Sequence, residues 1–142
     1  VNKNVKFFLF GILTWIPGYL LFLLFKSKGL TEYTFLYRSL PAALSPLDLV
    51  LYKTISMLLM AAVGGVLLAL YFRSVSGNYL REGFRVGVIW LALNLLLDMM
   101  FLIPKSGINF ESFFRSTYLP AFGIGYLMLP VMSVTIAYAL RG

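Results

Sequence analysis

Asp98, Asn94 and Lys53 are the residues of this chain whose types and placement suit chemistry inside an apolar environment. Asp98 lies fourteen residues into an apolar run that opens at Phe84. At helical rise that is a depth of about 21 Å, with about 8 Å left to Ile103. A carboxylate is thus placed off-centre but within the hydrocarbon of a bilayer about 30 Å thick. Charging it there costs on the order of 2.5–3.5 kcal/mol before a partner is found. It also sits toward the negative end of its own helix dipole, which disfavours an anion. A partner is therefore expected.

Spacing nominates Lys53. It lies twenty residues before Arg73, and Asp98 lies seventeen after Arg81. An antiparallel pair of helices joined between those arginines brings the two charges within about one turn in depth. The expectation is that Lys53 and Asp98 approach each other, with Asn94 bridging one turn deeper. Three kinds of work fit such a group. The first is a structural pair that fixes helix register, or two side chains that snorkel separately to the nearby interface. The second is a site for a cation, a proton or a substrate headgroup, since ionisable groups inside membranes often mark pathways. The third is a catalytic carboxylate, which lacks a second acid at the same depth to share proton transfer.

The absent residue types narrow this further. The chain has no Cys and no His, which removes disulfides, thiol catalysis, thiolate metal sites and the usual haem ligand. No metal, no cofactor and no catalytic residue is expected. Gly123-Ile124-Gly125 is not a phosphate loop, because no strand precedes it and no Lys-Ser/Thr follows.

The elements that must hold these residues are membrane helices. The sequence is 61% hydrophobic and 12% charged, against about 45–50% and about 25% in an ordinary soluble domain. The net charge of +7 resides in Lys and Arg between the apolar runs, as lipid headgroups and topology signals require. No basic stripe is interleaved with exposed aromatics, so nucleic acid is not an expected partner. Membrane lipids are.

Four helices are predicted, over approximately 5–25, 46–72, 82–103 and 118–140, in one transmembrane domain spanning 1–142. The first contains Pro17-Gly18, where a kink is expected, and it is too long for the apolar core of a signal peptide. The second opens at Ser45-Pro46-Leu47-Asp48, with a cap, a first-position proline and a first-turn acid. Residues 74–80 read as a short turn around Gly77-Asn78, so the second and third helices are expected to form a tight antiparallel hairpin. Glu82 and Arg85 are spaced to pair along the third helix. In the fourth, Pro130 is expected to bend the helix, and Ser133 and Thr135 to hydrogen-bond neighbouring carbonyls. The connections over 26–45 and 104–117 carry aromatics among charges and are expected to lie at the headgroup level.

Small residues recur at helical spacing. Ala61, Gly65 and Ala69 form one ridge, Gly83 and Gly87 a second, and Ala121 and Gly125 a third. Such ridges admit close helix packing, within the chain or between copies. With four spans, Lys3, Lys6, Arg73, Arg81, Arg85 and Arg141 share one side, against Lys26, Lys28, Arg38, Lys105 and Arg115 on the other, with Lys53 further in. The count is almost balanced, and the positive-inside rule gives only a weak preference for both termini at the inner face of the cell membrane.

The third-helix pattern Arg81-Glu82-Gly83, Gly87, Trp90, Asn94 and Leu95-Leu96-Leu97-Asp98, followed by Tyr126-Leu127-x-x-Pro130, resembles small prokaryotic four-helix membrane proteins with no assigned activity. The resemblance covers most of Lys6–Leu140. A looser similarity is to GtrA-like polyprenyl-lipid flippase subunits, small four-helix proteins with a Gly-Asn-Leu-Leu-Asp motif. There the motif belongs in the first helix, whereas here Gly87, Asn94 and Asp98 are in the third, and no functional residue carries over.

The sequence therefore predicts an all-α integral membrane four-helix bundle, antiparallel and up-down. The function it favours is a non-enzymatic interaction or scaffold subunit, packing against itself or another membrane protein through small-residue faces. The alternative is a small oligomeric transporter or channel for an ion, a proton or a lipid-linked solute, with its polar site at Asn94, Asp98 and Lys53.

Overall fold

A computed structural model of the chain describes residues 2–27, 46–102, 111 and 127–141, with the side chains of 25–27, 46–50, 52, 53 and 102 outside that description. The described residues contain four helices and no strand. We number them α1 (Lys3–Ser27), α2 (Pro46–Phe72), α3 (Tyr79–Leu97) and α4 (Met128–Leu140). The last turn of α3 passes into a π-helical stretch over Asp98–Leu102.

Three helices are long and apolar enough to cross a membrane, over Lys3–Leu24, Thr54–Phe72 and Tyr79–Phe101. At helical rise these segments are about 28–35 Å long, the thickness of a bilayer's hydrocarbon core. The α4 helix is shorter, Pro130 stands in its first turn, and the expected stretch over 118–126 lies outside the described residues. The two connections expected at the headgroup level fall almost entirely outside the described residues.

Local chemistry sets the helix ends. The α2 helix starts on Pro46, whose missing N–H leaves nothing unsatisfied at that position. It stops at Phe72, where Ser74 N–H and Oγ bond the Tyr71 carbonyl at 2.9 and 2.6 Å. Gly77 turns the chain at φ +110°, a conformation glycine adopts without strain. Asn78 then caps α3, its side chain accepting from Arg81 N–H at 3.3 Å. That cap starts α3 at Tyr79, three residues before the expected position. The α1 helix continues through Pro17 to Ser27.

Each helix buries one stripe. In α1 it is Phe7, Gly11, Thr14, Trp15 and Phe22; in α3 it is Gly83, Val86, Gly87, Trp90 and Asn94, continued by Asp98 at the start of the π-helical stretch. In α4 it is Leu129, Ser133 and Ala137, and α2 contributes Gly64, Leu68, Tyr71 and Phe72. The opposite faces are apolar and exposed, among them Phe8, Ile12, Leu20, Leu58, Val66, Phe84, Val88, Leu96 and Val131. A soluble fold would turn such a surface inward; a bilayer solvates it.

Two features decide which helices touch. Gly83 and Gly87 lie so close to α4 that a methyl group on Gly83 would stand 2.6 Å from Ala137 Cβ, and one on Gly87 would overlap the Pro130 backbone. The polar side chains of α3 meet α1. Extensive contact therefore joins α1 to α2 and α3, and α4 to α2 and α3. Among the described residues, α2 and α3 share no contact of that extent, although only a short turn joins them. They meet through Tyr71, whose ring lies 6.3 Å from that of Trp90 and whose hydroxyl donates to Glu82 Oε1 at 2.5 Å. The tight hairpin expected from the turn is thus not the main contact of either helix. For α3, close glycine packing on α4 and polar contacts to α1 take that place, and α2 packs on α1 and α4.

Candidate functional site: a buried polar seam between α1 and α3

The seam is built rung by rung. Trp90 Nε1 donates to the Phe7 carbonyl at 2.9 Å. One turn further along both helices, Asn94 Nδ2 donates to Trp90 O at 2.8 Å, to Thr14 Oγ1 at 3.1 Å and to Gly11 O at 3.4 Å. One more turn along, Trp15 Nε1 donates to Asp98 Oδ1 at 2.6 Å. Phe7 with Trp90, Gly11 with Asn94 and Trp15 with Asp98 are each separated by 83 positions. A constant difference means that α1 and α3 run in the same direction and in fixed register.

Gly11 makes the first rung sterically feasible. A Cβ there would lie 3.0 Å from Trp90 Cδ1 and 2.9 Å from Leu93 Cδ2. Without one, the Trp90 indole crosses the α1 backbone and reaches Phe7 O. Trp90 and Asn94 are fully buried, and Asp98 is 2% exposed. In such a place a lone polar group is expensive, so each donor's choice of acceptor matters.

The orientation of Asn94 follows from its neighbours. Thr14 Oγ1 commits its own hydrogen to Gly11 O at 2.6 Å, so it offers Asn94 only an acceptor. Trp90 O and Gly11 O are acceptors too. The amide must turn its NH₂ toward all three, which leaves Asn94 Oδ1 buried with no partner among the described residues. Asp98 stands where the α-helix opens into the π-helical stretch, its own N–H shared between Asn94 O and Leu95 O. Local π geometry of this kind is frequent at functional positions. Trp15 is itself held, stacked on Tyr19 with ring centres 4.5 Å apart.

Asn94 and Asp98 thus come together on one buried face, as their spacing predicts. The Lys53 side chain lies outside the described residues, and so does its expected pairing with Asp98. The bonds found for Asn94 go to α1 and along its own helix. Of the small residues, Gly83 and Gly87 pack against α4, while Gly65 faces Met132 Cε. Ala61 is half-buried and Ala69 exposed, and Ala121 and Gly125 lie outside the described residues. Ser133 Oγ bonds Gly83 O across the α3–α4 contact at 2.7 Å, and Thr135 Oγ1 bonds Val131 O at 2.8 Å.

The residues that spacing arguments left out are in α1: Gly11, Thr14 and Trp15. The signal was present, because Phe7, Gly11, Thr14, Trp15 and Gly18 fall on one helical face in an otherwise aliphatic run. It is the same small-and-polar pattern that marks α3. A second charged group lies at the end of the helices. There Glu82, its side chain 13% exposed, meets Lys3 Nζ at 3.1 Å and Arg85 at 3.7 Å.

Comparison with protein-family models, with curated proteins and with solved structures gives no match to this chain.

Proposed function

We propose that this chain is a non-enzymatic integral subunit of the cell membrane, an up-and-down four-helix bundle that packs against another copy or another membrane protein. The observation that carries the reading is the direction of its polar groups. Trp15, Trp90, Asn94, Asp98 and Ser133 all turn inward and form hydrogen bonds there, while the outward faces are apolar. The shared direction of α1 and α3 supports the up-and-down order. So does the pairing of Gly83 with Ala137 and of Gly87 with Pro130, in which one helix ascends as the other descends. The hydroxyls of Thr14 and Ser133 donate to backbone carbonyls, an arrangement that does not activate a nucleophile. Both termini take the inner face, by the cations gathered at that end.

Self-association falls to α2 on this reading. Gly83 and Gly87 are occupied within the chain, whereas Ala69 is exposed beside Val66 and Leu70. With no native cysteine, Ala69→Cys tests it directly: disulfide-linked dimers form in membranes, and a Val88→Cys control on α3 gives none. Equal cross-linking at both positions, or none at either, removes the self-association arm.

A second reading rests on Asn94 Oδ1, buried without a partner among the described residues, one helical turn from the buried Asp98. A buried acceptor one turn from a carboxylate suits a proton, a cation or a water in a small transporter. Single cysteines at Asn94 and Asp98, treated in membranes with a small charged thiol reagent, separate the two. Fast labelling of both from one side, slowed by a candidate solute, selects transport. Protection of both in folded protein selects the subunit role.

A further inference from the structure

At the end of the bundle where α1 begins, the 73–78 turn passes and α3 begins, the surface forms a cleft of about 570 Å³. Its walls include Lys3, Arg81, Glu82 and Arg85, together with Val75 and Phe84. Among the described residues, three cations stand against one carboxylate. Glu82 already takes Lys3 and Arg85 as partners and accepts from Tyr71. Arg81 is exposed, and its backbone N–H, not its guanidinium, bonds Asn78. The cleft therefore keeps an uncompensated positive charge, held on a preorganised frame: Glu82 fixes Lys3, and the Arg85 guanidinium rests 5.5 Å over the Phe7 ring.

Position supplies the second half of the argument. The apolar segments starting at Lys3 and Tyr79 and ending at Phe72 all reach this level, which is where headgroups lie. Phe84, 65% exposed, is one turn beyond Arg81 on the bilayer side of the cleft. A ligand matching both features is anionic at one end and apolar at the other. We infer that this cleft binds the phosphate of an anionic phospholipid, with Arg81 and Arg85 on the phosphate and an acyl chain along Phe84. Arg suits this through its planar fork of donors, and basic pockets beside membrane helices recognise acidic headgroups in this way.

The inference rests on the membrane reading but not on the nature of the polar seam. The test uses the whole chain, purified in mild detergent with a mixture of phosphatidylglycerol and phosphatidylcholine and examined by native mass spectrometry. The expected result is one retained phosphatidylglycerol, preferred about tenfold or more over phosphatidylcholine. Arg81→Gln abolishes the preference, while Arg141→Gln, at another exposed arginine, keeps it. An unchanged preference in Arg81→Gln overturns the site, and equal loss in both variants reduces it to diffuse charge. Displacement of the lipid by millimolar inorganic phosphate would reassign the cleft to a soluble anion and overturn the lipid assignment. A protein that retains no lipid in any form but stays folded in bilayers refutes the cleft and leaves the membrane reading intact.

Discussion

The indole of Trp15 on α1 donates to the carboxylate of Asp98, the residue that follows α3, at 2.6 Å, across 83 positions of sequence and inside the apolar part of the molecule. The same difference of 83 recurs at Phe7–Trp90 and Gly11–Asn94, so one relation locks two helices at three heights. Sliding α3 by one residue would rotate Asp98 by about 100° away from Trp15. Register is therefore specified by polar chemistry, which outward-facing apolar residues do not supply.

The first prediction concerns that bond. Asp98→Asn keeps an acceptor for Trp15 and lowers stability by less than about 1 kcal/mol, whereas Asp98→Leu leaves the indole N–H buried without this acceptor, at about 1–3 kcal/mol. A double-mutant cycle of Trp15→Phe with Asp98→Leu returns a coupling of about 0.5–2 kcal/mol. Thermal unfolding in detergent reads all of these. Additive single effects would mean that the bond contributes nothing.

The Thr14–Asn94 rung carries a second. Thr14→Val removes the acceptor while the Asn94 amide stays buried, and destabilises by about 1–2 kcal/mol. Thr14→Val with Asn94→Leu removes both polar groups and recovers much of that loss, because the orphaned oxygen goes too. If the double variant is the less stable of the two, the rung does more than satisfy itself.

Glycine substitutions form a ranked series. Gly87→Ala drives a methyl into the Pro130 backbone and Gly83→Ala into Ala137, so both destabilise by about 1–3 kcal/mol or more. Gly64→Ala meets Leu129 at an ordinary 3.6 Å and Gly18→Ala meets nothing within 4 Å, and both are tolerated. Melting temperatures of the four single variants check the order. A sensitive Gly18 beside a tolerant Gly87 would refute the α3–α4 contact.

Ser133 offers a smaller effect. Ser133→Ala loses the bond to Gly83 O and costs about 0.6 kcal/mol, up to about 1.7. Ser133→Cys, close in shape, stays resistant to charged thiol reagents until the protein unfolds. Rapid labelling in the native state would place water in the α3–α4 contact.

Much of this was legible in the sequence for physical reasons. Composition and run length give the three helices long and apolar enough to span a membrane, Pro46 gives the start of α2, and the 3.6 spacing of Gly83, Gly87, Asn94 and Asp98 gives the inward face of α3. Helix partners were not legible, because a short turn says which ends are close and not which faces meet. Two glycines on α3 admit α4 and an indole on α1 reaches Asp98, and those choices depend on side-chain shape across elements. Thr14 and Trp15 carried the same periodic signal as Asn94, but Thr and Trp are common enough in apolar helices that only contact gives them meaning. The start of α3 moved to Tyr79 because Asn78 turned out to be a cap and not the middle of a loop.

The most direct measurement uses the chain's two tryptophans, both of which lie in the seam. In a Trp90→Phe variant that stays folded, Trp15 becomes the sole indole, bonded to Asp98 and packed on Tyr19. Fluorescence in bilayers, with iodide added from both sides, then reports on the environment of Asp98 itself. A dry, structural seam predicts blue-shifted emission and almost no quenching until unfolding. Red-shifted emission quenched readily by iodide in the folded protein would put water at Asp98, contradict the structural role and leave the transport reading standing.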